Sequence, residues 1–245
     1  MRRAALLLAA ALVAAGCGGG EPGPRVAAAS SLEPAFEALA ARAGDPAPRF
    51  SFAGSDALAA QIRRGARPDL FAAASADLPA ALHAEGLVER PVEFAANELV
   101  VAVASRSPIR SLEDLRGPGV TVVWGSGRVP VGAYARSALR RLRGPLARDI
   151  EAAVRSEEPD AASIAGKLEA GAADAGFVYA SDVRASGGAL RAVRLPARAR
   201  PEVRYSAAVV AGAPGTERGR AFLRALTGPD GDAALRAAGL RPVRR

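Results

Sequence analysis

Short apolar runs alternate with stretches of helical periodicity along most of this chain, and this alternation constrains the fold more than any other feature. Between the runs, apolar residues recur at helical spacing, as in Leu32, Phe36 and Leu39, or in Leu58 and Ile62. Strands that alternate with helices in this way predict an α/β protein with mainly parallel sheets. The runs with β-strand character lie at 26–29, 49–52, 69–73, 99–103, 120–124, 176–179 and 203–210.

The body of the chain is long enough for one large domain or for two small lobes, and no linker divides it into consecutive halves. The runs at 99–103 and 203–210 have the apolar character of strands that pass between two lobes. We therefore expect a discontinuous arrangement. In this arrangement 25–102 and 205–245 form lobe 1, and 103–204 form lobe 2.

The first 17 residues, 1–17, have the pattern of an export signal. Arg2 and Arg3 precede an apolar run at 4–15, and small residues precede Cys17. The run is shorter than the about 20 apolar residues that a transmembrane helix needs. We expect this segment to be a signal peptide that is removed from the mature protein.

Cys17 is the only cysteine, and it ends a segment, LVAAGC at 12–17, that resembles a bacterial lipobox. Ala14 departs from the larger aliphatic residue that is usual at its position. We expect an exported lipoprotein, periplasmic or on the cell surface, that is anchored through lipidated Cys17. The Gly- and Pro-rich segment 18–24 would be a flexible tether. The alternative is a secreted protein with an unpaired thiol, which is uncommon in oxidising compartments.

The formal charge of +8 suggests nucleic-acid binding at first sight, but two of the basic residues, Arg2 and Arg3, belong to the predicted signal. Arginine replaces lysine almost everywhere, with Lys167 as the single lysine. Aromatic residues make up only 4% of the chain, which leaves little material for base stacking. We expect no nucleic-acid partner, and the single cysteine excludes an internal disulfide and any multi-cysteine metal site.

Serines stand at two predicted junctions between a strand and a helix. Ser30 and Glu33 have the spacing of a capping box, and Gly54 precedes Ser55 at the start of another helix. Such junctions present unpaired N–H donors and the positive end of the helix dipole, which together favour an anion. Either serine taken alone is more simply a helix cap.

The order of several motifs resembles the molybdate-binding proteins of ABC importers over about 26–240. The matching segments are AASSL at 28–32, SFAGS at 51–55, LAAQIRRG at 58–65, PDLF at 68–71, SLEDL at 111–115, VPVGAYA at 129–135 and GAADAGFVY at 171–179.

This resemblance implies a two-lobed type II periplasmic-binding fold with the ligand cleft between the lobes. It also implies a set of neutral donors in the cleft. The backbone donor at Ala161 is placed by an ungapped count of 18 positions back from Tyr179. The implied ligands of the oxyanion are the hydroxyls of Ser31 and Ser55, the backbone N–H groups of Val131 and Ala161, and the phenol of Tyr179, with Ser30 as an additional candidate.

The resemblance further implies an extracytoplasmic, monomeric binding protein that delivers molybdate or tungstate to the membrane permease of an ABC importer. The anion offers only acceptor oxygens, so hydroxyl and amide donors suffice to hold it. Molybdenum would be bound only as the oxyanion, with no cofactor, no protein ligand to the metal and no catalytic residue. Asp56 departs from the small or hydroxyl residue that is common beside the second serine.

Three alternatives stay open at this point. A binding protein of the same fold for sulfate or an organic acid would be favoured by an arginine such as Arg128 in the cleft. A hydrolase would need Ser55 and His83 within hydrogen-bond reach, together with an aspartate. A sensory module would hand ligand occupancy to a membrane partner.

Overall fold

The computed structural model describes residues 22–42 and 46–243. Within these ranges no helix is long and apolar enough to cross a membrane. The predicted signal, Cys17 and most of the predicted tether lie outside the described residues.

Eleven strands and nine helices are seen in the described ranges. The strands are β1 (Arg25–Ala29), β2 (Arg49–Ala53), β3 (Leu70–Ala73), β4 (Val92–Asn97), β5 (Leu99–Ala104), β6 (Val122–Gly125), β7 (Val154–Glu158), β8 (Ala175–Tyr179), β9 (Leu190–Arg194), β10 (Val203–Val209) and β11 (Arg241–Pro242). The helices are α1 (Glu33–Ala40), α2 (Ser55–Arg63), α3 (Asp77–Ala84), α4 (Pro130–Leu142), α5 (Gly144–Ala152), α6 (Ala161–Glu169), α7 (Ala180–Ala185), α8 (Thr216–Leu226) and α9 (Pro229–Ala237). Each of the seven predicted strands is confirmed.

The strands form two sheets with the same internal order. The first sheet runs β11-β4-β10-β3-β1-β2, and the second runs β7-β6-β8-β5-β9. Parallel pairing joins β1, β2 and β3 in the first sheet and β6, β7 and β8 in the second. The strands at which the chain enters each sheet from the other, β10 and β5, lie beside β3 and β8. The predicted α/β class with two sheets flanked by helices is confirmed.

The sheets are mixed, so the expectation of mainly parallel sheets is wrong in this detail. Strand β10 runs antiparallel to β3 and β4, and β5 runs antiparallel to β8 and β9. The residues of β5 and β10 are almost all buried, as are those of the parallel strands β1, β3, β6 and β8. Because a strand buried on both faces has the same apolar pattern in either direction, the sequence does not indicate its direction.

The chain passes from the first sheet to the second at Glu98, between β4 and β5. Strand β5 therefore belongs with the second sheet, whereas the predicted boundary assigned 99–102 to lobe 1. The return passage lies between β9 and β10, and Val203 at its end pairs with Asn97. The two crossings therefore lie next to each other, and the chain passes between the sheets in both directions at the same place.

Aromatic side chains form the centre of the first sheet's core. The ring of Phe36 on α1 lies 5.9 Å from Phe50, 6.3 Å from Phe94 and 5.5 Å from Phe222. Full burial of a phenylalanine side chain stabilises a fold by about 1.5 to 3 kcal/mol. These contacts hold α1 against the sheet, and with it the turn at Ser30–Leu32 that precedes the helix.

Candidate functional site

A small cavity of about 20 Å³ lies where strands of the two sheets end. Its lining segments follow the carboxyl ends of β1, β2 and β3 on one side and of β6 and β7 on the other, where Tyr179 itself ends β8. Open α/β sheets bind ligands at these ends. The first wall consists of Ala29, Ser30, Ser31, Ala53, Gly54, Ser55 and Ala74, and the second wall of Val129, Pro130, Val131, Asp160, Ala161 and Tyr179.

The two walls touch at one edge of the cavity. A Cβ atom added to Gly54 in the first wall would lie 2.4 Å from the carbonyl oxygen of Pro159, which directly precedes the second wall's Asp160. Real Cβ atoms do not approach backbone oxygen so closely. Glycine at this position therefore lets the backbones of the two walls meet.

Helical segments begin in both walls, at Ser30, Ser55, Pro130 and Ala161. The N–H groups in the first turn of a helix have no partner within the helix, and they lie at the positive end of its dipole. Val131 occupies the second position of α4, after a proline that lacks an N–H, and Ala161 occupies the first position of α6. Both backbone donors are therefore available at the cavity.

Ser31 is buried at the start of the first wall. Its Oγ lies 3.0 Å from the hydroxyl oxygen of Tyr205 on β10. Tyr205 in turn accepts a hydrogen bond from the side-chain amide of Asn97, at 3.2 Å. A polar chain thus runs from the crossing between the sheets to the cavity.

Ser55 is buried at the first position of α2. Its Oγ accepts a hydrogen bond of 3.1 Å from the backbone N–H of Ala74, which follows β3. A hydroxyl that already accepts one bond keeps its hydrogen for a further acceptor. Ser55 is therefore prepared to donate.

Tyr179 ends β8 and is buried, with its hydroxyl lacking a hydrogen-bond partner within the described ranges. Its ring packs edge-on against Tyr205 at 5.8 Å and against Tyr134 at 6.4 Å between centroids. Burial raises the pKa of the Tyr179 phenol well above its ordinary value. The phenol therefore stays protonated at neutral pH and can donate a hydrogen bond.

A buried carboxyl group supports the second wall from behind. Asp182 on α7 accepts a hydrogen bond of 2.8 Å from the backbone N–H of Tyr179. Burial raises the pKa of Asp182 to about 7, against the lowering by this hydrogen bond. Asp182 thus holds the backbone of Tyr179 with a group that titrates near neutral pH.

Asp160 is a lining residue that the sequence analysis did not identify. Its carboxylate caps α6 by accepting a 2.7 Å hydrogen bond from the N–H of Ser163. The signal available in the sequence was a capping residue directly before Ala161. Asp56, in contrast, is not among the lining residues, and its buried Oδ1 has no hydrogen-bond partner in the described part of the chain.

The structure brings all six predicted cavity residues together in one cavity: Ser30, Ser31, Ser55, Val131, Ala161 and Tyr179. It does not bring His83 there. The His83 ring is exposed, and its Nδ1 contacts the carbonyl oxygen of Val88 at 3.0 Å. Arg128 is exposed and is not a lining residue.

The polar groups that face this cavity are mostly neutral donors. They comprise serine hydroxyls, a phenol and the N–H groups at helix starts, and none of the described lining residues is arginine, lysine or histidine. Such a set satisfies a small anion whose oxygens only accept hydrogen bonds. Among the lining residues that the structure describes, Asp160 alone has a carboxyl group, and it opposes an anion electrostatically.

Sequence comparison relates the chain to transport proteins. The family described as "Bacterial extracellular solute-binding protein" matches residues 24–241. The chain is 37% identical over 223 residues to the molybdate-binding protein ModA of Mycobacterium tuberculosis (strain ATCC 25618 / H37Rv). This match covers 83% of the chain and 82% of that protein.

Solved structures share the fold. The periplasmic molybdate-binding protein of Azotobacter vinelandii superimposes with a TM-score of 0.80 at 21% identity, over 91% of this chain and 99% of that one. The sulfate-binding protein SubI of Mycobacterium tuberculosis H37Rv gives a TM-score of 0.75 at 19% identity, over 91% and 88%. The likeness confirms the predicted periplasmic-binding fold. The names of these two proteins show that similar folds bind different oxyanions.

Proposed function

The chain belongs to the bacterial extracellular solute-binding proteins, and we propose that it captures molybdate or tungstate outside the cytoplasm and delivers the anion to the membrane permease of an ABC importer. The observation that carries the proposal is the cavity in which hydroxyl and backbone donors of both walls meet and whose described lining residues include no arginine, lysine or histidine. The similarity to molybdate-binding ModA supports the choice of anion.

The proposed ligands come from both walls. From the first wall, the hydroxyls of Ser31 and Ser55 donate to the oxyanion. The hydrogen of Ser55 is available because its oxygen accepts from the N–H of Ala74. From the second wall, the N–H groups of Val131 and Ala161 and the phenol of Tyr179 donate. Hydrogen bonds to a charged acceptor are stronger than bonds between neutral groups, so a few such donors can hold a dianion.

Selection against sulfate would follow from size. The Mo–O and W–O bonds are longer than the S–O bond, and a rigid set of donors spaced for the larger anion leaves the smaller one with stretched hydrogen bonds. Packed side chains and helix starts make the walls resistant to such adjustment. Molybdate and tungstate are nearly equal in size, so the same cavity would take both.

We propose that the protein is an exported monomeric lipoprotein, with 1–17 as the signal peptide and Cys17 as the lipidated residue. The lipobox-like segment at 12–17 and the Gly- and Pro-rich segment 18–24 support this arrangement. Mass spectrometry of the membrane-extracted protein tests it, since a diacylated N-terminal Cys17 is expected. An unmodified chain that retains 1–17 would contradict it.

Thermal unfolding of the purified protein tests the proposed function. Molybdate or tungstate at a thousandfold excess over Kd stabilises the folded state by about 4 kcal/mol. For a protein of this size that corresponds to an increase in Tm of roughly 10 °C. An increase with sulfate or an organic acid alone would contradict the assigned anion and leave the family unaffected.

A further inference from the structure

A hydrogen-bonded network lies behind Ser31, at the point where the chain crosses between the sheets. The Nδ2 atom of Asn97 donates to the hydroxyl of Ser181 at 2.8 Å and to that of Tyr205 at 3.2 Å. Tyr205 continues to Ser31 at 3.0 Å. Asn97, Ser181, Tyr205 and Ser31, called the crossing network, are all buried.

The orientation of the Asn97 amide is fixed by the backbone. Its Oδ1 accepts a hydrogen bond of 2.9 Å from the N–H of Glu98. Rotating the amide by half a turn would place its NH₂ group against this N–H, donor against donor. The NH₂ group therefore faces the two hydroxyls, and both of its hydrogens are used.

This orientation sets the direction of every following hydrogen bond. Tyr205 accepts from Asn97, whose nitrogen cannot accept in return, so the phenol hydrogen has Ser31 as its acceptor within the described ranges. If Ser31 donated to Tyr205 instead, the buried phenol hydrogen would lose its partner, which is unfavourable. Ser31 therefore accepts from Tyr205, and its own hydrogen is left for the cavity.

The crossing network also touches both sheets. Asn97 ends β4 and Tyr205 lies on β10, which are the strands beside the two crossings. Ser181 lies on α7, which begins directly after Tyr179 of the second wall. One amide therefore connects the first wall's Ser31 to the helix that follows the second wall's phenol.

We propose that Asn97 and Tyr205 are positioning residues for anion capture, which fix the hydroxyl of Ser31 as a hydrogen-bond donor to the oxyanion. The proposal rests on the proposed function, because it assigns the direction of one of its donors. It selects Ser31 rather than Ser30 as the coordinating serine. Ser30 is only partly buried, and the network does not reach it.

The test is a double-mutant cycle on anion affinity in the purified protein. Tyr205→Phe removes the donor to Ser31, and we expect about tenfold weaker molybdate binding by calorimetry. If Tyr205 acts through Ser31, the double variant Tyr205→Phe/Ser31→Ala binds no more weakly than Ser31→Ala alone. If Tyr205→Phe weakened binding equally in wild type and in the Ser31→Ala variant, the proposal would be overturned. Wild-type affinity in Tyr205→Phe would also overturn it.

A second variant and a matched control make the cycle independent of a folding defect. Asn97→Ala removes the donor that sets the direction of the Tyr205 hydroxyl, and it is expected to weaken binding several-fold, again only when Ser31 is present. Ser206→Ala removes a buried hydroxyl from the same strand, whose bond goes to the carbonyl of Val92. The control should lower Tm and leave Kd unchanged.

The outcomes separate this inference from the proposed function. Wild-type protein that binds molybdate, with Tyr205→Phe and Asn97→Ala equal to wild type, would overturn the inference alone. Wild-type protein that binds none of molybdate, tungstate and sulfate would overturn both. Loss of affinity in Ser206→Ala equal to that in Tyr205→Phe would reduce the network to a role in folding and would also overturn the inference.

Discussion

The two walls of the cavity hold their hydroxyl groups in different ways. In the first wall, Ser31 is hydrogen-bonded to Tyr205 and Ser55 accepts from the N–H of Ala74. In the second wall, the hydroxyl of Tyr179 has no partner among the residues described. Hydrogen bonds within the protein therefore hold the serine hydroxyls of the first wall, whereas the phenol hydroxyl of the second wall is left for a ligand.

Because of this difference, substitutions in the two walls should affect the stability of the protein differently from its affinity for the anion. Removing a first-wall hydroxyl deprives a protein group of its partner and also removes a proposed ligand, so both stability and affinity should decline. Removing the Tyr179 hydroxyl breaks no hydrogen bond within the described structure. The variants of the two walls should therefore differ in stability even where they lose similar affinity.

The largest combined effect is expected from Ser55→Ala in the first wall. The buried N–H of Ala74 loses its acceptor, which lowers the free energy of unfolding by about 1 to 3 kcal/mol. Molybdate binding weakens by about 1 to 3 kcal/mol in addition, because a donor to a charged group is lost. Urea denaturation and calorimetric titration measure the two losses.

Ser51→Ala is the matched control for this variant, because Ser51 lies on β2 of the same segment with its side chain exposed. It should change neither quantity. Unchanged stability in Ser55→Ala would show that its hydroxyl is not held by the fold, and the contrast between the walls would fail.

Tyr179→Phe in the second wall should lose affinity without losing stability. We expect molybdate binding to weaken by about 1 to 3 kcal/mol, with the free energy of unfolding of the ligand-free protein unchanged or raised. Tyr134→Phe serves as the control, since Tyr134 contacts the Tyr179 ring and is not a lining residue. A loss of stability in Tyr179→Phe comparable to that of Ser55→Ala would remove the distinction.

The support of the second wall should make stability depend on pH. The pKa of Asp182 is raised from 3.8 to about 7, so between these values the folded protein binds a proton that the unfolded chain has released. Its contribution to the free energy of unfolding therefore falls as pH rises from about 4 to about 7, by at most about 1.4 kcal/mol per pH unit.

Urea denaturation of wild type and Asp182→Asn from pH 5 to 7.5 isolates this contribution, because asparagine keeps an acceptor for the N–H of Tyr179. The stability of wild type relative to the variant should decline across this range. Parallel pH profiles would show that Asp182 titrates at its ordinary pKa and that the second wall has no such dependence.

The smallest effect is expected from the lining carboxylate of the second wall. Asp160→Asn removes a negative charge beside the proposed anion and keeps a side chain that caps α6. We expect molybdate affinity to increase by about 0.5 to 1 kcal/mol, and the gain to shrink at high salt. Asp56→Asn is the matched control, since Asp56 does not line the cavity, and equal gains in both variants would refute a local effect of Asp160.

The sequence predicted the fold class and seven strands because a buried strand carries an apolar run that is readable locally. It missed four strands, β4, β7, β9 and β11. In β7, VRSEE, four of the five side chains are polar or charged, and most are exposed or partly buried. Strand direction and the membership of β5 also remained hidden. They depend on which distant strands pair, and no local pattern of residues expresses this.

The serines and Tyr179 could be proposed because short motifs surround them, whereas their supports could not. Tyr205 lies 174 positions from Ser31 and 108 from Asn97. Its surroundings in the sequence are an ordinary buried strand. Hydrogen bonds between residues so far apart become visible only when the fold brings the two crossings together.

Calorimetric titration of the purified protein with molybdate, tungstate and sulfate in parallel tests the central claim most directly. The two walls, taken as one rigid set of neutral donors, predict that one molybdate or tungstate binds per chain, with similar Kd values, and that sulfate binds at least about tenfold more weakly. Sulfate binding as tightly as molybdate, or no binding of molybdate and tungstate, would contradict the account.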